Sequence, residues 1–228
     1  MLAAFIRATA QLGDPAFRRP LVLGFLGAAA VLAGLWTGMG VLLTRTQLFD
    51  NPWLDTPLDA LGGLATLVLT VLLYPAVVAA IMSLFLDGAI DAVEARHYPG
   101  RPPPRPVALA EQLISALRLI ALALVLNLLA LPIYLIPGIN LVVFYMLNGY
   151  LLGREYFEMV AQRRLDPAER RLLRRNRRAR IFLSGAAVAF ISTIPLVNLV
   201  APLVAAAALT HQVMSWIGSM ERTAPRDG

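Results

Sequence analysis

The sequence predicts an all-α integral membrane protein, and three observations predict it. Of 228 residues, 58% are hydrophobic and only 15% charged, whereas soluble domains carry roughly a quarter charged residues. Two apolar runs, 21–43 and 61–86, reach the length of about 20 residues that a helix needs to cross the hydrocarbon core. Two later apolar stretches, 113–152 and 181–218, are each interrupted by nearly the same heptad, "IPGINLV" at 136–142 and "IPLVNLV" at 194–200. The expected architecture is a single membrane domain over 1–228: two long transmembrane helices, two Pro-centred re-entrant (hemi-penetrating) helical hairpins and an amphipathic N-terminal helix.

Each element follows from its own residues. The first 20, "MLAAFIRATAQLGDPAFRRP", carry apolar side chains at helical spacing without a long apolar core or a cleavage site, so they read as an interfacial helix and not a signal peptide. Residues 21–43 are apolar throughout and rich in Gly and Ala, which favour close helix packing. The acidic, Pro-containing loop at 44–60, with Trp53 at the interface, reads as external. The second span, 61–86, contains Pro75 as a kink. "YPGRPPPRP" then forms a stiff polyproline-like linker between the two halves.

The stretch 113–152 is cut by Pro132, Pro137 and Gly138 into one longer arm and one of about 14 residues, which covers only about 21 Å and is too short to cross. The last apolar region repeats the design around Pro195, Asn198 and Pro202. Non-helical backbone at membrane depth is tolerated only where protein or a watered cavity satisfies its N–H and C=O groups. Asn140 and Asn198, each three residues after a Pro, are placed to satisfy their own turn backbone. Pro137, Gly138, Asn140, Pro195 and Asn198 are therefore the expected hairpin tips, either as plain capped turns or as two broken helices that bracket a permeation path.

Charge gives orientation. Residues 153–180 hold ten Arg, against a single Arg45 between the first two spans, so the Arg-rich segment and both termini are expected on the cytoplasmic side. Within it Asp166, Pro167 and Glu169 form an N-cap, N1 and N3 set from which a basic helix starts. The net charge of +6 reports this bias and contact with the anionic lipid bilayer, not nucleic acid.

Enzyme chemistry has little support. The chain has no Cys, no Gly-rich phosphate loop and no paired intramembrane carboxylate, and no metal or cofactor site is expected. His97 and His211 lack acidic or histidine neighbours at ligand spacing and read as structural. Anion binding is better supported. Asp14 and Pro15 read as N-cap and N1, which sets Arg18 and Arg19 in the first turn of a helix entering the membrane. Free amides, the positive dipole end and adjacent guanidiniums suit an oxyanion there, though plain anchoring is the alternative. Arg118 lies inside an apolar run, and Glu111 is two turns earlier on roughly the same face. That pair is the second candidate, the alternative being an Arg that snorkels to the interface.

Several of these segments resemble one known family. "DPAFRRPLVLGFLGA" is similar to the "PGLRRFVLLPL" entry motif of the CysZ sulfate permeases, and "LIPGINLV", "GREYFEMVAQRR" and "STIPLVNLVAPLVAAAALTHQ" resemble their second half and the wider etoposide-induced membrane protein family. The resemblance spans most of the chain. It implies an all-helical bacterial inner-membrane protein that is homo-oligomeric, has hemi-penetrating hairpins and passes sulfate or a related oxyanion inward for cysteine synthesis. It also implies sulfate binding by the entry-motif pair, here Arg18 and Arg19. Ala16 stands where that motif has Gly, and "REYFE" replaces an aromatic, Asp-containing stretch. The rival reading is a scaffold or assembly factor whose Arg-rich helix binds a partner or anionic lipid.

Overall fold

A computed structural model describes residues 2–45, 60–70, 74, 77, 81, 85–194 and 197–223. The expected loop tip around Trp53, the Pro75 kink and the Pro195 tip lie outside the described residues. All regular structure among the described residues is helical: α1 Leu2–Ala10, α2 Pro15–Arg45, α3 Ala60–Thr70, α4 Leu86–His97, α5 Leu109–Tyr134, α6 Ile139–Ala161, α7 Pro167–Asn176, α8 Arg178–Ser192 and α9 Ala201–Thr223. The chain divides into two compact units, Asp14–Phe85 and the remainder.

In the first unit α2 has 31 residues, about 46 Å of helix. Its stretch Leu21–Val41 is long and apolar enough to cross a membrane. Ala28 and Leu32, one turn apart, are buried, whereas Val22, Phe25, Leu26 and Val31 are exposed. Apolar side chains that point outward on a helix of this length are what lipid contact asks for. Trp36 Nε1 donates to Thr70 Oγ1 at 2.9 Å, and a Cβ on Gly27 would lie 2.7 Å from Ile81 Cδ1. The partner numbers rise as those on α2 fall, so α2 and the α3 line run antiparallel. Thr66 and Thr70 donate their hydroxyls back to the Gly62 and Thr66 carbonyls at 2.8 Å each, which removes unpaired donors from an apolar helix.

The second unit is built round α9. Leu203, the run Ala205–Thr210 and Val213 have no exposed surface, because α1, α4, α6 and α8 enclose that helix. Four consecutive Ala, residues 205–208, keep it thin enough for neighbours on every side. The tightest packing is between α6 and α8. A Cβ added at Gly153 would lie 2.3 Å from the Ile181 carbonyl oxygen, and one at Gly185 only 2.0 Å from the Gly149 oxygen. Gly149-x-x-x-Gly153 on α6 thus forms a groove into which the backbone of α8 settles at Gly185.

The α5–α6 connection corrects the expected arm lengths. Pro132 does not end α5; it lies in the final turn, where it costs one ladder bond, and the helix runs on to Tyr134. The stop is Leu135, after which Gly138 takes φ +85° and reverses the chain, a conformation that side chains with a Cβ rarely adopt. Asn140 Oδ1 accepts from Leu141 N at 2.7 Å. With 26 residues α5 is itself long and apolar enough to cross a membrane. Helix α6 is longer than the 14-residue arm because it continues past Leu152 through the charged "GREYFEMVA". Between α8 and α9 the chain breaks at the short 3₁₀ turn Val197–Leu199, which contains Asn198.

Two charged segments are tied down locally. Helix α7 starts at Pro167 with a full capping box, Asp166 Oδ1 accepting from Ala168 N and Glu169 N at 2.7 and 2.8 Å and Glu169 Oε2 accepting from Asp166 N at 3.0 Å. The proline-rich stretch is held at Arg105. Arg105 donates from its backbone N to the Arg163 carbonyl at 3.0 Å and from Nε to the Gln162 carbonyl at 2.8 Å.

Candidate functional site: an arginine-lined cavity

The first turns of α5, the end of α6 and the start of α7 converge on a cavity of about 310 Å³. Helical spacing explains its lining. Gln112, Ser115 and Leu119 repeat along one face of α5 with Arg118 beside them, Arg154, Glu155, Glu158 and Met159 repeat along α6, and Arg170, Arg171 and Arg174 along α7. Five guanidiniums therefore face two carboxylates.

Ion pairing decides which of those charges stay available. Glu111 accepts from Arg105 at 2.6 Å and from Arg170 at 2.5 Å, and Glu158 accepts from Arg170 at 3.2 Å and also from Arg174. Arg170 is the hub, its side chain 6% exposed, with Nε buried and unpartnered. A buried N–H without an acceptor costs about 1–3 kcal/mol, so the hub is one acceptor short. Arg118 and Arg154 make no ion pair among the described residues, and Arg171 donates Nε to the Pro167 carbonyl at 3.0 Å. Glu155 has no cation bound to it among the described residues; the residue reaches the surface, yet protein packed around it desolvates its carboxyl and pushes it above the ordinary range. The result is an open, net-positive pocket of fixed donors, an arrangement that suits a multivalent oxyanion.

The sequence-derived candidates are distributed as follows. Arg18 and Arg19 are adjacent and exposed in the first turn of α2, where Arg18 N bonds the Asp14 carbonyl at 3.0 Å; they belong to the first unit. Glu111 and Arg118 share α5, but the Glu111 carboxylate goes to Arg105 and Arg170, while Arg118 faces the cavity. Pro137, Gly138 and Asn140 lie together in the α5–α6 turn, and Asn198 in the α8–α9 turn.

His97 and His211, 114 positions apart, meet with ring centroids 5.0 Å apart, and Gln11 Nε2 lies 2.7 Å and 3.0 Å from their Nε2 atoms. Tyr98 Oη completes the cluster, 3.0 Å from His211 Nδ1. The set ties the 3₁₀ turn Gln11–Gly13, which follows α1, to the end of α4 and to α9. Sequence spacing missed Arg154, Glu155, Glu158 and Arg170 as site residues. The available signal was "REYFE", an Arg and a Glu one turn apart on a helix that continues past the apolar run. Among the described residues no three metal-ligating side chains cluster.

A search of curated proteins gives no match. The family described as sulfate transporter CysZ/etoposide-induced protein 2.4 has a model that matches residues 4–202. That stretch runs from α1 through the cavity to the α8–α9 turn, most of the chain's length, and the chain belongs to this family.

Proposed function

We propose that this protein is a bacterial inner-membrane permease that passes sulfate or a similar oxyanion into the cell for sulfur assimilation, passively or coupled to an ion. The observation that carries the reading is the cavity: Arg118 and Arg154 project, without carboxylate partners among the described residues, into a pocket at the base of α5, a helix of membrane-spanning length. A divalent anion leaving water needs several charge-assisted donors at once, and Arg171 lines the same cavity. Arg18 and Arg19 are the proposed entry site. The broken helices around Gly138 and Asn198 are read as re-entrant tips, both termini as cytoplasmic and the working unit as a homo-oligomer. The scaffold reading is weaker, since Arg163, Arg164, Arg170 and Arg174 are engaged by Asp87, Asp91, Glu94, Glu111 and Glu158 of the same chain.

Radiolabelled sulfate uptake into proteoliposomes tests the proposal. Uptake should exceed that of protein-free vesicles and should fall about tenfold or more in R118A/R154A, two charge-assisted contacts being lost. Uptake equal to that of empty vesicles ends the permease reading and leaves the scaffold.

Glu155 sets a pH dependence with a definite sign. Its pKa is raised, so the charged form opposes both folding and an anion in the cavity, and both improve as pH falls through that raised value. Glu155→Gln should therefore bind sulfate about threefold to tenfold tighter at neutral pH and flatten the profile, as calorimetric titration of the purified protein would read. A profile unchanged by the substitution rules out Glu155 as the titrating group.

A further inference from the structure

A second cavity, of about 240 Å³, opens on another part of the same unit, between α1, the first turn of α8 and the middle of α9. Its charged lining residues are Arg7 and Arg180, with Gln212, Ser215 and His211 beside them, and no carboxylate lines it. Neither guanidinium has an ion pair among the described residues. Gln212 is the buried amide of this lining. The residue is 5% exposed, and its Oε1 accepts from Ser184 Oγ at 2.9 Å. The Ser184 hydroxyl also donates to the Arg180 carbonyl at 2.9 Å, so one hydrogen is shared between two acceptors, and Gln212 Nε2 has almost no accessible surface and no acceptor among the described residues. Two cations and a hydroxyl thus line a space that no carboxylate enters.

We propose that this cavity is an oxyanion site distinct from the arginine-lined one, and that it takes a tetrahedral phosphate-class anion with Arg7 and Arg180 as its charge partners and the Ser215 hydroxyl as a further donor. The same chemistry is offered by free inorganic phosphate and by the phosphodiester of an anionic lipid headgroup. Exposed apolar side chains adjoin it on α1, Leu2 at 74% and Ile6 at 60%, and these suit the acyl side of a lipid. A phosphodiester oxygen held by both guanidiniums would give these two charges the anionic partner that the cavity lining does not supply.

The test uses the full chain in detergent, with two probes: native mass spectrometry with dioleoyl-phosphatidylglycerol against dioleoyl-phosphatidylcholine, and calorimetric titration with inorganic phosphate. If the anion is a headgroup, one phosphatidylglycerol should bind about tenfold tighter than phosphatidylcholine, and R7A/R180A should remove that preference. If the anion is free, phosphate should bind saturably and weaken by about the same factor in R7A/R180A while the two lipids bind alike. Arg7 and Arg180 are both exposed, so the substitutions spare the core, and R7K/R180K should keep the fold and part of the affinity. The proposal is overturned if parent and R7A/R180A, equally folded, bind both probes alike. Sulfate uptake is read separately, so failure here leaves the permease reading standing, and the reverse.

Discussion

Replacing Gly185 with Ala should prevent the helical bundle of the second unit from closing. The new Cβ would lie 2.0 Å from the Gly149 oxygen, 2.3 Å from Gly153 N and 2.7 Å from Gly153 Cα. All three are backbone atoms of α6, so no rotamer change relieves the overlap and the helices must separate. Overpacking a core typically costs about 1–3 kcal/mol when side chains can shift; an obstacle made of backbone should exceed that. The expected result is loss of the monodisperse peak on size exclusion, with Gly153→Ala close behind because of the Ile181 carbonyl. Gly34→Ala is the control, since a Cβ there meets nothing within 4 Å; it should leave the protein unchanged or slightly more stable. A monodisperse Gly185→Ala protein with the parent's melting temperature would mean that α6 and α8 do not pack on their glycines.

The second large effect concerns Glu94 and Arg164. Their side chains are only 6% and 9% exposed, and they form a two-point ion pair between α4 and the loop after α6, with Nε to Oε1 at 3.2 Å and a second, closer contact to Oε2. Arg164 also donates to the Pro102 carbonyl. Removing one partner of a buried pair leaves an uncompensated charge and costs about 3–5 kcal/mol. Glu94→Ala should therefore lower thermal stability severely, whereas Glu94→Leu combined with Arg164→Leu should recover much of the loss. A double-mutant cycle in chemical denaturant measures both. Near-additive small losses would show that the pair is solvated and contributes little.

What could be read in the sequence was what is locally encoded. Asp166-Pro167-x-Glu169 specifies its own capping box, because every partner lies within three residues. The first heptad marks a helix break because Pro137 lacks an N–H and Gly138 accepts a positive φ. Partners distant along the chain could not be read. Seven-residue spacing puts Glu111 and Arg118 on one face of α5, yet Arg170, 59 positions away, reaches the Glu111 carboxylate. Arg164 finds Glu94 across 70 positions. Gly149-x-x-x-Gly153 is visible as a pattern, but only the fold reveals that Gly185 fills it. The cavity was illegible for the same reason: its arginines come from three helices, and which of them stay unpaired depends on where the carboxylates land.

The burial of α9 also sets the order in which the protein can be made. The helices that enclose it, α1, α4, α6 and α8, all leave the ribosome earlier, and α1 precedes it by roughly 200 residues of chain, a long loop to close. Until α9 arrives these helices surround an empty slot, and the Gln11 amide of the nascent chain has no His211 to meet. The neighbours of α9 thus meet the helix they share only after all four have been made.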